Sequence, residues 1–183
     1  MSDVTLLLVA ARDGDAGAVE RLFTLLYEDL RTIARSRIRK HRRVTLLDTS
    51  SLVHELYLRL YDLKRLDFPD RIHFLAYAAR AMRSIIIDLI RERRAARRGG
   101  DALHLTLTTD VVEAIEAPER EVLRLHDALT DLESVDERLV RVVEMRYFVG
   151  LTEAEIAASL GVTERTVRRD WQKARLLLFA ALA

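Results

Sequence analysis

The sequence predicts an all-α protein of two helical domains joined by a linker, the second carrying a helix-turn-helix. Three observations carry that expectation. Apolar residues recur at three- and four-residue spacing through most of the 183 residues. Only two prolines and six glycines interrupt them. Thr152 to Arg175 reads as two capped helices around a glycine turn. The chain is 50% hydrophobic and 32% charged, which suits a folded core and not a disordered chain.

Taken in order, a short helix is expected over roughly Val4 to Arg12, stopping at Asp13 and Gly14. One longer helix follows, with Val19, Leu22, Phe23, Leu26, Tyr27, Leu30, Ile33 and Ala34 on one face. It runs into a basic patch of Arg35, Arg37, Arg39, Lys40, Arg42 and Arg43 that contains no acid. A third helix starts near Ser51 and carries Leu52, Leu56, Tyr57 and Leu60. Asp67 to Asp70 form a loop. A long fourth helix runs from about Arg71 toward Arg94.

At about 100° per residue, Phe74, Leu75, Ala78, Met82, Ile85, Ile86 and Leu89 fall on one side of that helix. Arg80, Arg83, Arg91, Arg94 and Arg98 fall on the other, in a narrow sector without an acid. A solvated face ordinarily mixes both signs. An apolar seam backed by arginines alone fits a helix packed on its domain and facing a phosphate backbone. Gly99 and Gly100 end this block. The domains are therefore read as 1–98 and 119–183, with a linker over 99–118 that includes a brief alternation at His104 to Thr108. Helices are expected near Glu119–Asp131, Asp136–Phe148, Thr152–Ser159 and Thr163–Ala181.

The last two helices carry the chemistry. Thr152 and Glu155 form a T-x-x-E capping box. Ile156, Ala157 and Leu160 give the first helix a small apolar face, and Gly161 supplies the positive φ of the turn. Thr163 caps the second helix, whose Val167, Trp171, Ala174 and Leu178 share the buried side. Thr163, Arg165, Thr166, Arg168, Arg169, Gln172 and Lys173 are the candidate DNA contacts. Arginine pairs bidentately with guanine in the major groove, and lysine neutralises phosphate. Trp171 is read as core and not as a stacking platform. Glu144, Tyr147 and Phe148 are read as packing residues of the second domain, and Phe74 as a core anchor.

Composition excludes several classes. Without cysteine there is no disulfide, thiolate catalysis or zinc–thiolate site, and a reducing cytoplasm is the expected location. The formal net charge is only +1, so any nucleic-acid surface must be built from clustered bases. No signal peptide and no membrane span are expected. His41, His54, His73, His104 and His126 have no metal-ligand spacing, and there is no phosphate loop or nucleophile motif. The expectation is therefore a non-enzyme with neither metal nor cofactor.

Four stretches, in this order and spacing, carry a family resemblance: Asp48 to Leu60, Ala81 to Asp88 in the long helix, Glu144 to Thr152, and Thr166 to Arg175. On them the chain resembles bacterial sigma factors of the extracytoplasmic-function (ECF) group, in its ECF-like helix-turn-helix branch. That resemblance implies a protein without a catalytic site that binds core RNA polymerase and directs it to promoter DNA. It implies that Asp48, Ser51, Leu52, Glu55, Leu56 and Arg59 meet the clamp coiled coil of the largest polymerase subunit. The long helix and the loop before it, through Asp70, Arg71, His73, Arg80, Arg83, Arg91 and Arg94, would melt and read the minus-ten element. The last helix would read the minus-thirty-five element, and the second domain would meet the flap of the second-largest subunit. A free-standing helix-turn-helix regulator binding operator DNA without polymerase is the alternative.

One stretch departs from the group. Where most members begin the core-binding helix with several acids, this chain has Asp48, Thr49, Ser50 and Ser51. Phosphorylation of Thr49, Ser50 or Ser51 by a Ser/Thr kinase would restore about −1.5 to −2 charge at a helix N-terminus. The plainer reading is that these hydroxyls cap the helix.

Overall fold

The computed structural model describes residues 3–40, 47–63, 67–99 and 109–183, with backbone alone at 16, 39–40, 97–99 and 109–116. The described residues form nine α-helices and one π-helical turn, without a strand. The helices are α1 (Asp3–Arg12), α2 (Ala16–Leu25), α3 (Tyr27–Lys40), α4 (Thr49–Tyr61), α5 (Arg71–Gly99), α6 (Thr109–Val135), α7 (Glu137–Val143), α8 (Glu153–Leu160) and α9 (Glu164–Leu182). The π-turn, Glu144–Val149, continues α7.

Side-chain carboxylates start several of these helices. Asp15 accepts from the Gly17 amide at 2.9 Å, Asp48 from Ser51 at 2.7 Å, Asp70 from His73 at 3.0 Å and Asp136 from Arg138 at 3.1 Å. Each satisfies one amide that the helix itself leaves open.

Three element expectations differ. The single long helix over Val19 to Ala34 is α2 and α3, separated at Leu26, whose φ is −97° and ψ 6°. The Leu26 amide still reaches the Leu22 carbonyl at 3.0 Å, and Leu30 reaches Leu26 at 2.9 Å. The apolar phase therefore runs through the break and hides it. In the expected linker, residues 109–118 are helical, because α6 starts at Thr109 and contains Pro118. A proline removes one amide bond and crowds one turn, which a 27-residue helix absorbs. The helix expected to end at Phe148 changes to π geometry at Glu144. The alternation at His104 to Thr108 lies outside the described residues.

One apolar core runs from end to end. Leu8, Leu22, Leu30, Leu52, Leu56, Phe74 and Met82 fill the first half. The same cluster continues through Leu129, Leu132, Leu139, Val140, Val143 and Phe148 to Ala174. A smaller cluster of Val142, Met145, Ile156, Ala157 and Val167 has Ile72 and Ala76 of α5 packed on it. Helix α5 is thus the common wall of both halves.

Candidate nucleic-acid interface

At the start of α8, the Thr152 hydroxyl accepts from the Glu155 amide at 3.3 Å, and the Glu155 carboxylate accepts from the Thr152 amide at 2.8 Å. The Thr152 amide bond holds the Glu155 carboxyl below its usual range. Gly161 turns the chain at φ 64°. Thr163 then accepts from the Thr166 amide at 3.2 Å. Val167, Asp170 and Ala174 are the buried residues of α9, while Trp171 and Leu178 are half-buried.

Arg165, Arg169, Gln172 and Lys173 are exposed on the outer face. A shallow concavity there is lined by Thr163, Arg165, Thr166, Arg168, Arg169 and Gln172. Glu153 of α8 accepts from Arg168 at 3.1 and 2.9 Å, and from Arg146 at 2.7 Å. The Arg168 and then the Arg146 hydrogen bonds hold the Glu153 carboxyl low. Arg146 in turn lies 4.9 Å over the Trp171 ring. Asp170, 2% exposed, accepts from Arg138 Nε at 2.6 Å, and Arg169 lies 3.6 Å away. Lys173 lies 3.8 Å from Asp136. The anchors Glu153 and Asp170 were not among the expected site residues, because nothing in their local spacing marks a carboxylate as a helix tether.

Around α5, Asp70 caps the helix and receives His73 Nδ1 at 2.9 Å. Partial burial raises its pKa, but the His73 hydrogen bonds outweigh that and leave the carboxyl below its usual range. Arg71 pairs with Asp29 at 2.7 Å. The arginine stripe is turned inward, against the second half. Arg80 pairs with Glu133, Arg83 with Glu144 at 2.9 Å, and Arg91 lies 3.8 Å from Asp127. Arg94 is half-buried, and the Arg98 side chain lies outside the described residues.

The partner of Arg83 lies 61 residues away and has no local signature. Glu144, expected to pack within the second domain, is 4% exposed and crosses to the first. Arg37 of the basic patch joins it. Its guanidinium donates to the Ala79 carbonyl at 2.8 Å and lies 3.3 Å over the Phe148 ring. Burial, then the neighbouring Arg83, lower the Arg37 pKa to about 9. Burial raises that of Glu144, against the pull of Arg83. Arg37 Nε and Arg83 Nε and Nη1 make no hydrogen bond. The other patch side chains, Arg39, Lys40, Arg42 and Arg43, lie outside the described residues, and Arg35 is exposed.

The expected core-binding residues divide. Leu52 and Leu56 are fully buried in the first-half core. Asp48 and Glu55 are exposed, Ser51 is half-buried, and Arg59 pairs with Asp88 at 2.9 Å. Leu58 and Tyr61, both exposed, share that outer surface of α4. Asp48 is the cap, so Thr49, Ser50 and Ser51 occupy the first turn and none of them is the capping residue. Ser50 is exposed, and Thr49 and Ser51 are half-buried.

A groove of about 750 Å³ runs along α9, lined by Leu125, Leu129, Tyr147, Phe148, Leu176 and Phe179 among others. Leu176 and Phe179 are 72% and 77% exposed. Among the described residues there is no group of three metal-ligating side chains, and no helix is long and apolar enough to cross a membrane. No curated protein and no solved structure matches the chain. A family model described as ECF sigma factor matches residues 1–183, the whole chain.

Proposed function

The chain belongs to the ECF sigma factor family, and from that premise we propose how its residues divide the work of initiating transcription. A sigma factor binds core RNA polymerase and promoter DNA. Residues 119–183 read the minus-thirty-five element. The observation that carries this is the doubly capped turn that aims the start of α9 outward, with Arg165, Arg169 and Gln172 exposed around one concavity. Arg165 and Thr166 sit in the first turn, where a recognition helix meets base edges. Arg168, tethered to Glu153, and Lys173 serve phosphate.

Residues 1–98 bind the clamp coiled coil and hold the melted minus-ten strand. Asp48, Ser51, Glu55 and Arg59, with the exposed Leu58 and Tyr61, form the polymerase-facing side of α4. Asp70, Arg71 and His73 start α5 beside the strand, and Arg80, Arg83, Arg91 and Arg94 hold its phosphates. The apolar groove along α9 suits an amphipathic helix such as the flap tip.

Phosphorylation of Thr49, Ser50 or Ser51 activates polymerase binding. Asp48 does the capping, so none of these hydroxyls is needed as the N-cap, and each stands in the first turn, where the helix dipole favours an anion. The test is co-elution of the full chain with core RNA polymerase, beside a T49E/S50E/S51E variant. Tighter association of the acidic variant is expected. A chain with all three replaced by alanine that still transcribes normally in cells would remove the switch while leaving the sigma assignment intact.

A further inference from the structure

Where α3, α5, α6 and the π-turn meet, they surround a cavity of about 10 Å³. Arg37, Arg83 and His126 line it with polar groups, and Ile86, Val122 and Leu125 with apolar ones. Both arginines are more than nine-tenths buried, at 2% and 8% exposure. Arg37 Nε, Arg83 Nε and Nη1, and His126 Nδ1 make no hydrogen bond among the described residues. We propose that this cavity binds a small monatomic anion, chloride being the physiological one, through Arg37, Arg83 and His126. The site is independent of how the chain meets polymerase or DNA.

Charge is the first reason. Among the described residues, Glu144 is the one carboxylate acting closely on Arg37. Arg83 feels Glu144 and Glu133, and Glu133 also pairs with Arg80. Three guanidinium groups therefore share two carboxylates, and one positive charge is left over. Around them, Arg91 is balanced by Asp127 and Arg59 by Asp88. Burial, then Arg83, lower the Arg37 pKa to about 9, so Arg37 stays charged at neutral pH. The Phe148 ring, 3.3 Å from the Arg37 guanidinium, offers its π face but no full countercharge. An unbalanced buried cation is costly, and an anion beside it offsets that cost.

Hydrogen bonding and size are the second. Guanidinium nitrogens only donate. A water molecule, with two lone pairs, satisfies at most two of the three unbonded ones, whereas a monatomic anion accepts from every side. Burial, then Arg83 and Arg91, lower the His126 pKa. The ring is therefore neutral at neutral pH, and with its proton on Nδ1 it donates as well. The space is about that of one water-sized sphere, which admits a chloride and excludes a phosphate group. Arg37 and Arg83 come from the first half, His126 and Phe148 from the second. The apolar cluster that runs from Leu22 to Phe148 already joins those halves, so the ion adds stability to a joint that stands without it.

The test is a set of urea melts on the full chain at fixed ionic strength, with sodium chloride replacing sodium gluconate, whose anion is too large for the cavity. The parent is compared with Arg37→Met, which leaves as many acids as cations in the cluster. The comparison removes the general action of each salt on the protein surface. Relative to the variant, the folding equilibrium constant of the parent should rise by up to about tenfold for a tenfold step in chloride once the site begins to fill. An identical response of parent and variant would overturn the proposal. Should Arg37→Met fail to fold, crystals of the parent grown in sodium bromide decide the matter. An anomalous bromide peak within hydrogen-bond reach of both Arg37 and Arg83 is expected, and no peak there would equally overturn the site.

Discussion

Glu144 holds the most consequential side chain. It is the carboxylate that compensates two buried arginines, and removing one partner of a buried pair leaves the others desolvated and uncompensated. Glu144→Ala is expected to destabilise the fold by about 3–5 kcal/mol, seen as a lower midpoint in urea. Arg165 is the opposite case. It is exposed at the start of α9 and touches nothing the fold needs. Arg165→Ala should lower promoter-duplex affinity by roughly tenfold or more, while the melting temperature stays within about a degree of the parent. The sequence made Arg165 legible because capping residues and helical period fix its azimuth. It could place Arg80, Arg83 and Arg91 in one sector, but not the acids opposite them. Those lie on other helices, and one-chain periodicity carries no information on which faces meet.

At the scale of elements, the bounds of α8 and α9 were readable because their capping chemistry is local. Thr152, Glu155, Gly161 and Thr163 act within three residues of themselves. Thr163→Ala should cost roughly 1 kcal/mol. Gly161→Ala should cost about 1 kcal/mol from backbone strain alone, since nothing lies within 4 Å of the added Cβ. Thermal melts of both variants check this. Acid behaviour follows from the same caps. The carboxyls of Asp48 and Glu155 sit below their ordinary 3.8 and 4.5 when folded. The unfolded chain then binds more protons in the acid range, so stability rises with pH there. Their contribution is complete above the ordinary values and is lost as pH falls through the lowered ones. Circular dichroism of Glu155→Gln should show a shallower loss of melting temperature on acidification than the parent shows. The break at Leu26 was not readable, because its hydrogen bonds keep the apolar phase on both sides.

For the whole molecule, the sequence suggested two units and a linker, and the structure joins them through one core. Phe148, Val143 and Leu139 belong to the same apolar cluster as Leu22 and Met82. Calorimetry of the full chain should therefore show a single unfolding transition; two resolved transitions would mean that the halves are independent in solution. The resemblance named the architecture of each half but not their mutual placement. That placement depends on Glu144 and Arg37, both buried charges, and a charged residue in sequence is read by default as a surface one.

The π-turn at Glu144–Val149 has a consequence for inheritance. An extra residue in one helical turn shifts the rotational phase of everything downstream by about 100°. The stretch keeps Glu144 on Arg83 and Phe148 on Arg37, both in the first half. A substitution at the exposed Tyr147 alters one side chain. A deletion of that single codon would shift every later side chain of the turn relative to the first half. In lineages of this gene, changes of length between 144 and 150 should be purged far more strictly than changes of letter.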